Sequence, residues 1–156
     1  MGLRLIRLGA TYALYDTKIM EPLLNAKWIT KTHSLNERKF EAKTLFLKNL
    51  DDSTFADAYL KPTKYLLSFE WNDQYILTIN NQAYTLYCAS FWKKVWKLKI
   101  GADCFLYKKS LWNLRPHVSK NGIPFLNIND DLISTSEKAS LEDIKTGVMI
   151  HLIFNK

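Results

Sequence analysis

The chain has 156 residues, of which 47% are hydrophobic and 24% charged, and its formal net charge is +7 at pH 7. This length and composition predict one soluble globular domain over residues 1–156, with enough apolar surface to form its own core. Only 5 Gly and 4 Pro, against 13% aromatic residues, exclude collagen-like, linker-like and disordered chains.

The first part of the chain alternates apolar and polar residues in short segments, which is typical of β-strands. Residues 3–8 and 11–15 flank Gly9 and predict either two strands or one bent strand. Residues 27–32 and 43–47 show the same alternation, and we expect them to pair with each other across the polar stretch between them.

The middle of the chain contains the clearest sheet signal. Residues 65–71, 75–79 and 84–89 alternate with a period of two and are separated by Asn-rich turns, which predicts a three-stranded antiparallel meander. Before the meander, residues 54–60 follow a capping-type polar stretch and stop before Pro62. That arrangement predicts a short helix.

Residues 91–100 fit two structures. As a helix, the segment would direct most of its apolar residues to one arc, and Gly101 would stand where a C-terminal cap belongs. As a strand, Trp96, Leu98 and Ile100 would alternate with lysines. We expect the helix, which would bury the tryptophans and leave the lysines on the surface.

The C-terminal third predicts further strands. Residues 104–107 and 123–128 read as strands, and residues 112–121 as a loop between them. Ser140 has the capping spacing of a helix start, so we expect a helical turn over residues 140–145. The apolar segment 148–154 predicts a closing strand.

This element order predicts a mainly β fold, a β-rich α+β protein with one or two short helices. Three strands, a helix and further strands are the order found in oligonucleotide-binding (OB-like) Greek-key barrels. We therefore expect an antiparallel Greek-key barrel or half-open barrel, and a β-sandwich is the alternative. No family resemblance supports the choice.

The positive charge is concentrated in one segment. Residues 91–120 contain 8 Lys or Arg and one Asp, so their net charge of +7 equals that of the whole chain, and they hold three of the 5 Trp. Lysines and arginines neutralise phosphates, and flat rings stack on unpaired bases at about 1 to 3 kcal/mol each. The combination favours single-stranded nucleic acid as the ligand. One alternative is a solvated basic surface with the tryptophans in the core. An anionic membrane surface and an acidic protein are competing partners for the same patch.

Candidate binding residues follow from that segment. The residues expected to contact phosphates are Lys93, Lys94, Lys97, Lys99, Lys108, Lys109, Arg115 and Lys120. The rings expected to stack on bases are Trp112 and Tyr107, with Tyr75 and Tyr87 as further candidates.

The sequence predicts no catalytic centre, cofactor or metal site. His33, His117 and His151 are scattered and form no metal-binding motif. Asp130 and Asp131, followed by an Asp-x-Lys at residues 143–145, resemble the carboxylates of a Mg²⁺-dependent nuclease only loosely. We expect His151 to be a structural residue with a hydrogen-bond partner.

Cys88 and Cys104 lie in apolar runs without metal or redox spacing, which favours a reducing, intracellular setting, either cytoplasm or nucleus. The uncharged stretch 74–92 contains Asn and Gln at its centre, so membrane insertion is not expected. Together these observations predict a non-enzymatic protein that binds nucleic acid, preferentially single-stranded. The alternative is a protein-interaction or structural subunit of a larger assembly, with a protein partner or a second copy of the chain.

Overall fold

A computed structural model describes residues 1–62, 74–90, 94–109 and 115–155. The predicted strand at residues 65–71 lies outside these ranges. So do two of the candidate binding residues, Lys93 and Trp112.

Within the described residues, twelve strands follow one another and a helix comes last. The strands are β1 (Gly2–Leu8), β2 (Thr11–Asp16), β3 (Pro22–Leu35), β4 (Arg38–Lys48), β5 (Thr54–Leu60), β6 (Gln74–Ile79), β7 (Gln82–Ser90), β8 (Val95–Ile100), β9 (Asp103–Lys108), β10 (His117–Lys120), β11 (Ile123–Asn129) and β12 (Leu132–Thr135), and the helix is α1 (Leu141–Phe154). Each strand pairs antiparallel with the next, and β12 pairs with β1, which closes the barrel.

The closed antiparallel barrel confirms the predicted mainly β, barrel-type fold. The OB-like Greek-key arrangement is wrong, because the strands are joined in sequential order around a larger barrel. Tight turns explain this order. Asn36 and Glu37, and likewise Asn80 and Asn81, have positive φ between β3 and β4 and between β6 and β7. Two-residue turns of this kind join adjacent antiparallel strands, since their twist matches that of the hairpin.

Strand predictions are confirmed for eight segments. Residues 3–8 and 11–15 form two separate strands, and segments 27–32 and 43–47 pair within β3 and β4. The remaining confirmed segments are 75–79, 84–89, 104–107 and 123–128.

Three helix or loop predictions are wrong. Residues 54–60 form strand β5, residues 95–100 of the segment 91–100 form strand β8, and residues 117–120 of the predicted loop form strand β10. Neighbouring strands supply the reason. β5 pairs with β4 and β6, and β8 pairs with β7 and β9. The local sequence leaves helix and strand close in free energy, and hydrogen bonding to the neighbouring strands favours the strand.

The helix α1 lies inside the barrel. Residues 146–153 are all buried, and eight consecutive helical residues cover every direction around the helix axis. Phe154 packs its ring 4.6 Å from that of Trp96 on β8 and 5.3 Å from that of Tyr107 on β9. A Cβ atom on Gly147 would lie 3.2 Å from the Leu126 side chain of β11. The predicted closing strand 148–154 is therefore wrong, since an apolar run is equally suited to a helix that strands surround.

The connections alternate between the two ends of the barrel, because successive strands run in opposite directions. We call one end the entry end: it holds the turn at Asn121 and Ser140, where α1 begins. The exit end holds the turns at Gly9 and Asp130, and α1 finishes there at Asn155.

Ser140 caps the helix as the sequence predicts. The Asp143 backbone N–H donates to Ser140 Oγ at 3.1 Å.

We expect Ser140→Ala to lower the free energy of unfolding by about 1 kcal/mol, because it leaves a helix N–H without its partner. Urea denaturation measures the change. Ser136→Ala, at an exposed position in the same connection, is the control and is expected to have little effect. Equal losses in both variants would contradict the capping role.

Candidate functional site

The lysines of β8 lie on the outside of the barrel. Side chains alternate along a strand, and Trp96 and Leu98 point inwards, where Leu98 is fully buried in the core and Trp96 packs on Phe154. Lys97 and Lys99 must therefore point outwards, two positions apart on the same strand.

Strand register places a third lysine beside them. Lys97 lies opposite Tyr87 on β7 and Leu106 on β9, while Lys108 lies opposite Val95. Lys108 is thus on the strand next to β8, two positions further along the same outer face. Neighbouring strands are about 5 Å apart, so the cationic side chains, which are long and flexible, can reach one ligand. Lys94 and Lys109 lie just beyond the ends of these strands, where the Lys109 N–H donates to the Lys94 carbonyl at 3.1 Å. Their positions alternate with those of Val95 and Lys108, so they do not share the outer face, and the charge of Lys109 acts on the buried His151.

We call this surface the basic face, and it consists of Lys97, Lys99 and Lys108. It carries little opposing charge. The residues of β6, β7, β8 and β9 include one carboxylate, Asp103, which lies at the entry end and accepts a hydrogen bond from Asn121 at 2.9 Å. Within the described part of the chain, no ion pair involves a lysine of the basic face. These cations are therefore free to attract an anionic ligand.

Other predicted site residues lie elsewhere. Lys120 faces the barrel interior at the entry end, where its Nζ contacts Asp143 at 3.1 Å and Asp103 at 3.6 Å. These contacts raise the Lys120 pKa and make it a structural cation. Tyr107 is 1% exposed and Tyr75 is 8% exposed, so neither ring is available to stack on a base. Sequence alternation alone does not reveal these partners, because they are distant along the chain.

Two predicted residues remain near the basic face. Tyr87 is partly exposed and lies on the outer face directly opposite Lys97. Arg115 is exposed in the connection between β9 and β10 at the exit end. Tyr87 is therefore the one predicted aromatic residue, among those described, that shares a face with the lysines.

The carboxylates that loosely resemble a nuclease do not converge. Asp130 and Asp131 form the turn between β11 and β12 at the exit end, whereas Asp143 lies in the first turn of α1 at the entry end. Among the residues that the structure describes, no group of three or more His, Cys, Asp and Glu side chains is arranged to hold a metal ion.

A groove of about 520 Å³ lies on the outer surface beneath the β3–β4 hairpin. His33 stacks on Tyr59 with ring centroids 3.8 Å apart, and its Nε2 is 2.7 Å from the Thr44 hydroxyl. Burial lowers the pKa of His33 and raises that of Asp57. The His33 contacts hold the tip of the hairpin against β5.

Sequence reasoning missed a second pocket, of about 390 Å³, which opens at the exit end. We call it the mouth pocket. Leu5, Tyr12 and Ile128 form apolar walls, and Arg7 and Asp130 lie among its lining residues. No sequence signal could have found it, since its residues come from strands at the two termini and from the end of α1.

His151 also lines the mouth pocket. Its Nδ1 lies 3.1 Å from the Tyr107 hydroxyl, which confirms a structural hydrogen bond to this histidine. Burial, assisted by the nearby charge of Lys109, lowers the His151 pKa to about 4. The imidazole is therefore neutral at pH 7. Burial also raises the pKa of Tyr107, so the phenol keeps its proton.

No protein-family model matches the sequence, and comparisons with curated proteins and with solved structures also give no significant match. In the described ranges, no helix combines the length and the apolar character needed to cross a membrane.

Proposed function

We propose that this protein is a non-enzymatic nucleic-acid-binding protein that prefers single strands and binds them on the basic face. The observation that carries the proposal is the outward placement of Lys97, Lys99 and Lys108 on adjacent strands, with no carboxylate among them. Lys94 and Lys109 add positive charge at the exit end, beyond this surface.

Phosphate groups are the chemistry that such a surface suits. Each lysine that neutralises a phosphate releases condensed counterions, which makes binding favourable at low salt and weaker as salt rises. The contacts are independent of sequence, because lysine side chains on a sheet surface contact the backbone and not the base edges. We therefore expect the protein to bind nucleic acid with little preference for base sequence.

Tyr87 supplies the reason for preferring single strands. Its ring lies directly opposite Lys97 on the outer face, so a strand whose phosphate contacts Lys97 has an aromatic ring within reach of its base. Only an unpaired base can offer its face for stacking, which contributes about 1 to 3 kcal/mol.

Salt dependence tests the proposal. We expect the double variant Lys97→Ala/Lys99→Ala to bind a single-stranded oligonucleotide more weakly than the native chain. The slope of log affinity against log salt should flatten by about 1.4, since each lost phosphate contact removes about 0.7 on a single strand. Fluorescence anisotropy with a labelled oligonucleotide, at several salt concentrations, measures both quantities.

The matched control is Lys18→Ala/Lys138→Ala, which removes the same charge from exposed positions at the entry end. Lys18 follows β2, which lies across the closed barrel from β8. This variant should keep the native slope. Equal slopes in the two double variants, or no binding at low salt, would rule out the proposal. Equally strong binding of a polyglutamate peptide would favour the alternative function, docking of an acidic protein partner.

A further inference from the structure

We propose that the mouth pocket is a binding site for a small zwitterion of the α-amino-acid class. In this arrangement Arg7 binds the ligand's carboxylate, Asp130 binds its ammonium group, and His151 donates a hydrogen bond to an oxygen of its side chain. The proposal is independent of nucleic-acid binding on the basic face.

The first observation is an unpartnered nitrogen at the pocket. His151 is 4% exposed, and its Nε2 has no hydrogen-bond partner in the described part of the chain. A buried polar atom without a partner costs about 1 to 3 kcal/mol, so it calls for an explanation such as a ligand. His151 lines the mouth pocket, and in the proposed complex the ligand reaches Nε2 by displacing the atoms that cover it.

Tyr107 sets the proton on the imidazole. Its hydroxyl lies 3.1 Å from Nδ1 and retains its proton, because burial raises the phenol pKa. When the phenol donates to Nδ1, the neutral ring carries its own proton on Nε2. In the proposed site the phenol is the donor of this bond, so that His151 presents Nε2–H to the ligand. Such a donor suits a carbonyl, carboxylate or hydroxyl oxygen.

The rim supplies one charge of each sign. Arg7 uses Nε to donate to the Gly9 carbonyl at 3.1 Å, which leaves its terminal nitrogens for a ligand. In the described residues, Asp130 has no ion pair or hydrogen bond through its carboxylate, whereas its neighbour Asp131 is paired with Arg4 at 2.8 Å. The rim is thus suited to a molecule with both a carboxylate and an ammonium group.

The interior of the pocket accepts the rest of such a molecule. Leu5, Tyr12 and Ile128 are each less than 9% exposed and give apolar contact between the rim and His151. The volume of about 390 Å³ is within the range of pockets that hold small organic ligands. A simple anion would be repelled by Asp130 and a simple cation by Arg7, so that a zwitterion fits best.

NMR of the ¹⁵N-labelled protein tests the site. The twenty common amino acids are added one at a time while the imidazole signals of His151 are followed. We expect saturable shifts with L-glutamine, whose side-chain oxygen can accept from Nε2–H, and about tenfold weaker binding of L-leucine, which lacks that oxygen.

Arg7→Gln and Asp130→Asn should each weaken L-glutamine binding about tenfold or more, since each removes one charged contact. Both positions are exposed, so the fold should survive, and the His151 signals report that directly. Arg38→Gln and Asp52→Asn make the same chemical changes at exposed positions outside the pocket and should bind like the native chain.

Two outcomes would overturn the proposal. One is the absence of any amino-acid-dependent shift at about 10 mM, a concentration that would reveal even a weak site and would leave water as the partner of Nε2. The other is binding that Arg7→Gln and Asp130→Asn leave unchanged. Neither outcome bears on the basic face, because Lys97→Ala/Lys99→Ala tests that surface by oligonucleotide binding.

Discussion

Leu152→Ala is expected to lower the free energy of unfolding by about 2 to 5 kcal/mol, the range found when a fully buried leucine is truncated. Leu152 is 0% exposed and belongs to the part of α1 that the barrel encloses. Strands surround it, so the cavity that the substitution leaves has little room to collapse. Urea or guanidinium unfolding, followed by circular dichroism, measures the difference.

Leu141 provides a control within the same helix. It is 47% exposed in the first turn, at the entry end, so Leu141→Ala removes the same atoms where water already reaches them. We expect a change of no more than about 0.5 kcal/mol. Comparable losses at the two positions would contradict the placement of α1 inside the barrel.

Many strands could be predicted because their signal is local. Alternation marks β6 and β7, and the Asn-rich turn between them needs residues that tolerate positive φ. Closure of the barrel could not be predicted in this way. It depends on pairing between β1 and β12, which are separated by most of the chain, and no local pattern encodes that contact.

The helix was predicted at its start and missed over its length for a physical reason. Ser140 gives a capping signal that depends on a few adjacent residues. The rest of α1 has no polar face, because the barrel surrounds it on all sides. Without a polar face, helical periodicity disappears, and an apolar run of β-branched and other residues resembles a buried strand.

The candidate site, like the fold, could be predicted only where its signal is local in the sequence. The excess of positive charge in residues 91–120 could be located by counting, and alternation in β8 shows that Lys97 and Lys99 share a face. Lys120 belongs to the same segment, yet it binds Asp143 at the entry end of the barrel. The mouth pocket depends on three-dimensional closure, which brings Arg7 and His151 together from opposite ends of the chain.

The stability of the protein is expected to fall by about 2 kcal/mol between pH 7 and pH 5, because His151 must remain neutral in the fold. Its pKa is lowered from 6.5 to about 4, chiefly by burial and further by the charge of Lys109. Over this interval the unfolded chain takes up a proton that the folded chain does not. The loss of stability caused by His151 is therefore absent above pH 6.5 and grows as the pH falls towards 4.

His151→Gln should remove this part of the pH dependence, since glutamine does not titrate, although the variant can be less stable at every pH. Two other shifted groups contribute as the pH falls: burial raises the pKa of Asp57, which opposes the loss of stability, and lowers that of His33, which adds to it. Both groups are present in the native chain and in the variant, so the difference between the two stability profiles isolates His151.

His33→Gln is the control and should retain most of the native dependence of stability on pH. A His151→Gln profile parallel to the native one between pH 7 and pH 5 would show that this imidazole is not held neutral, and would remove the Nε2–H donor from the mouth pocket.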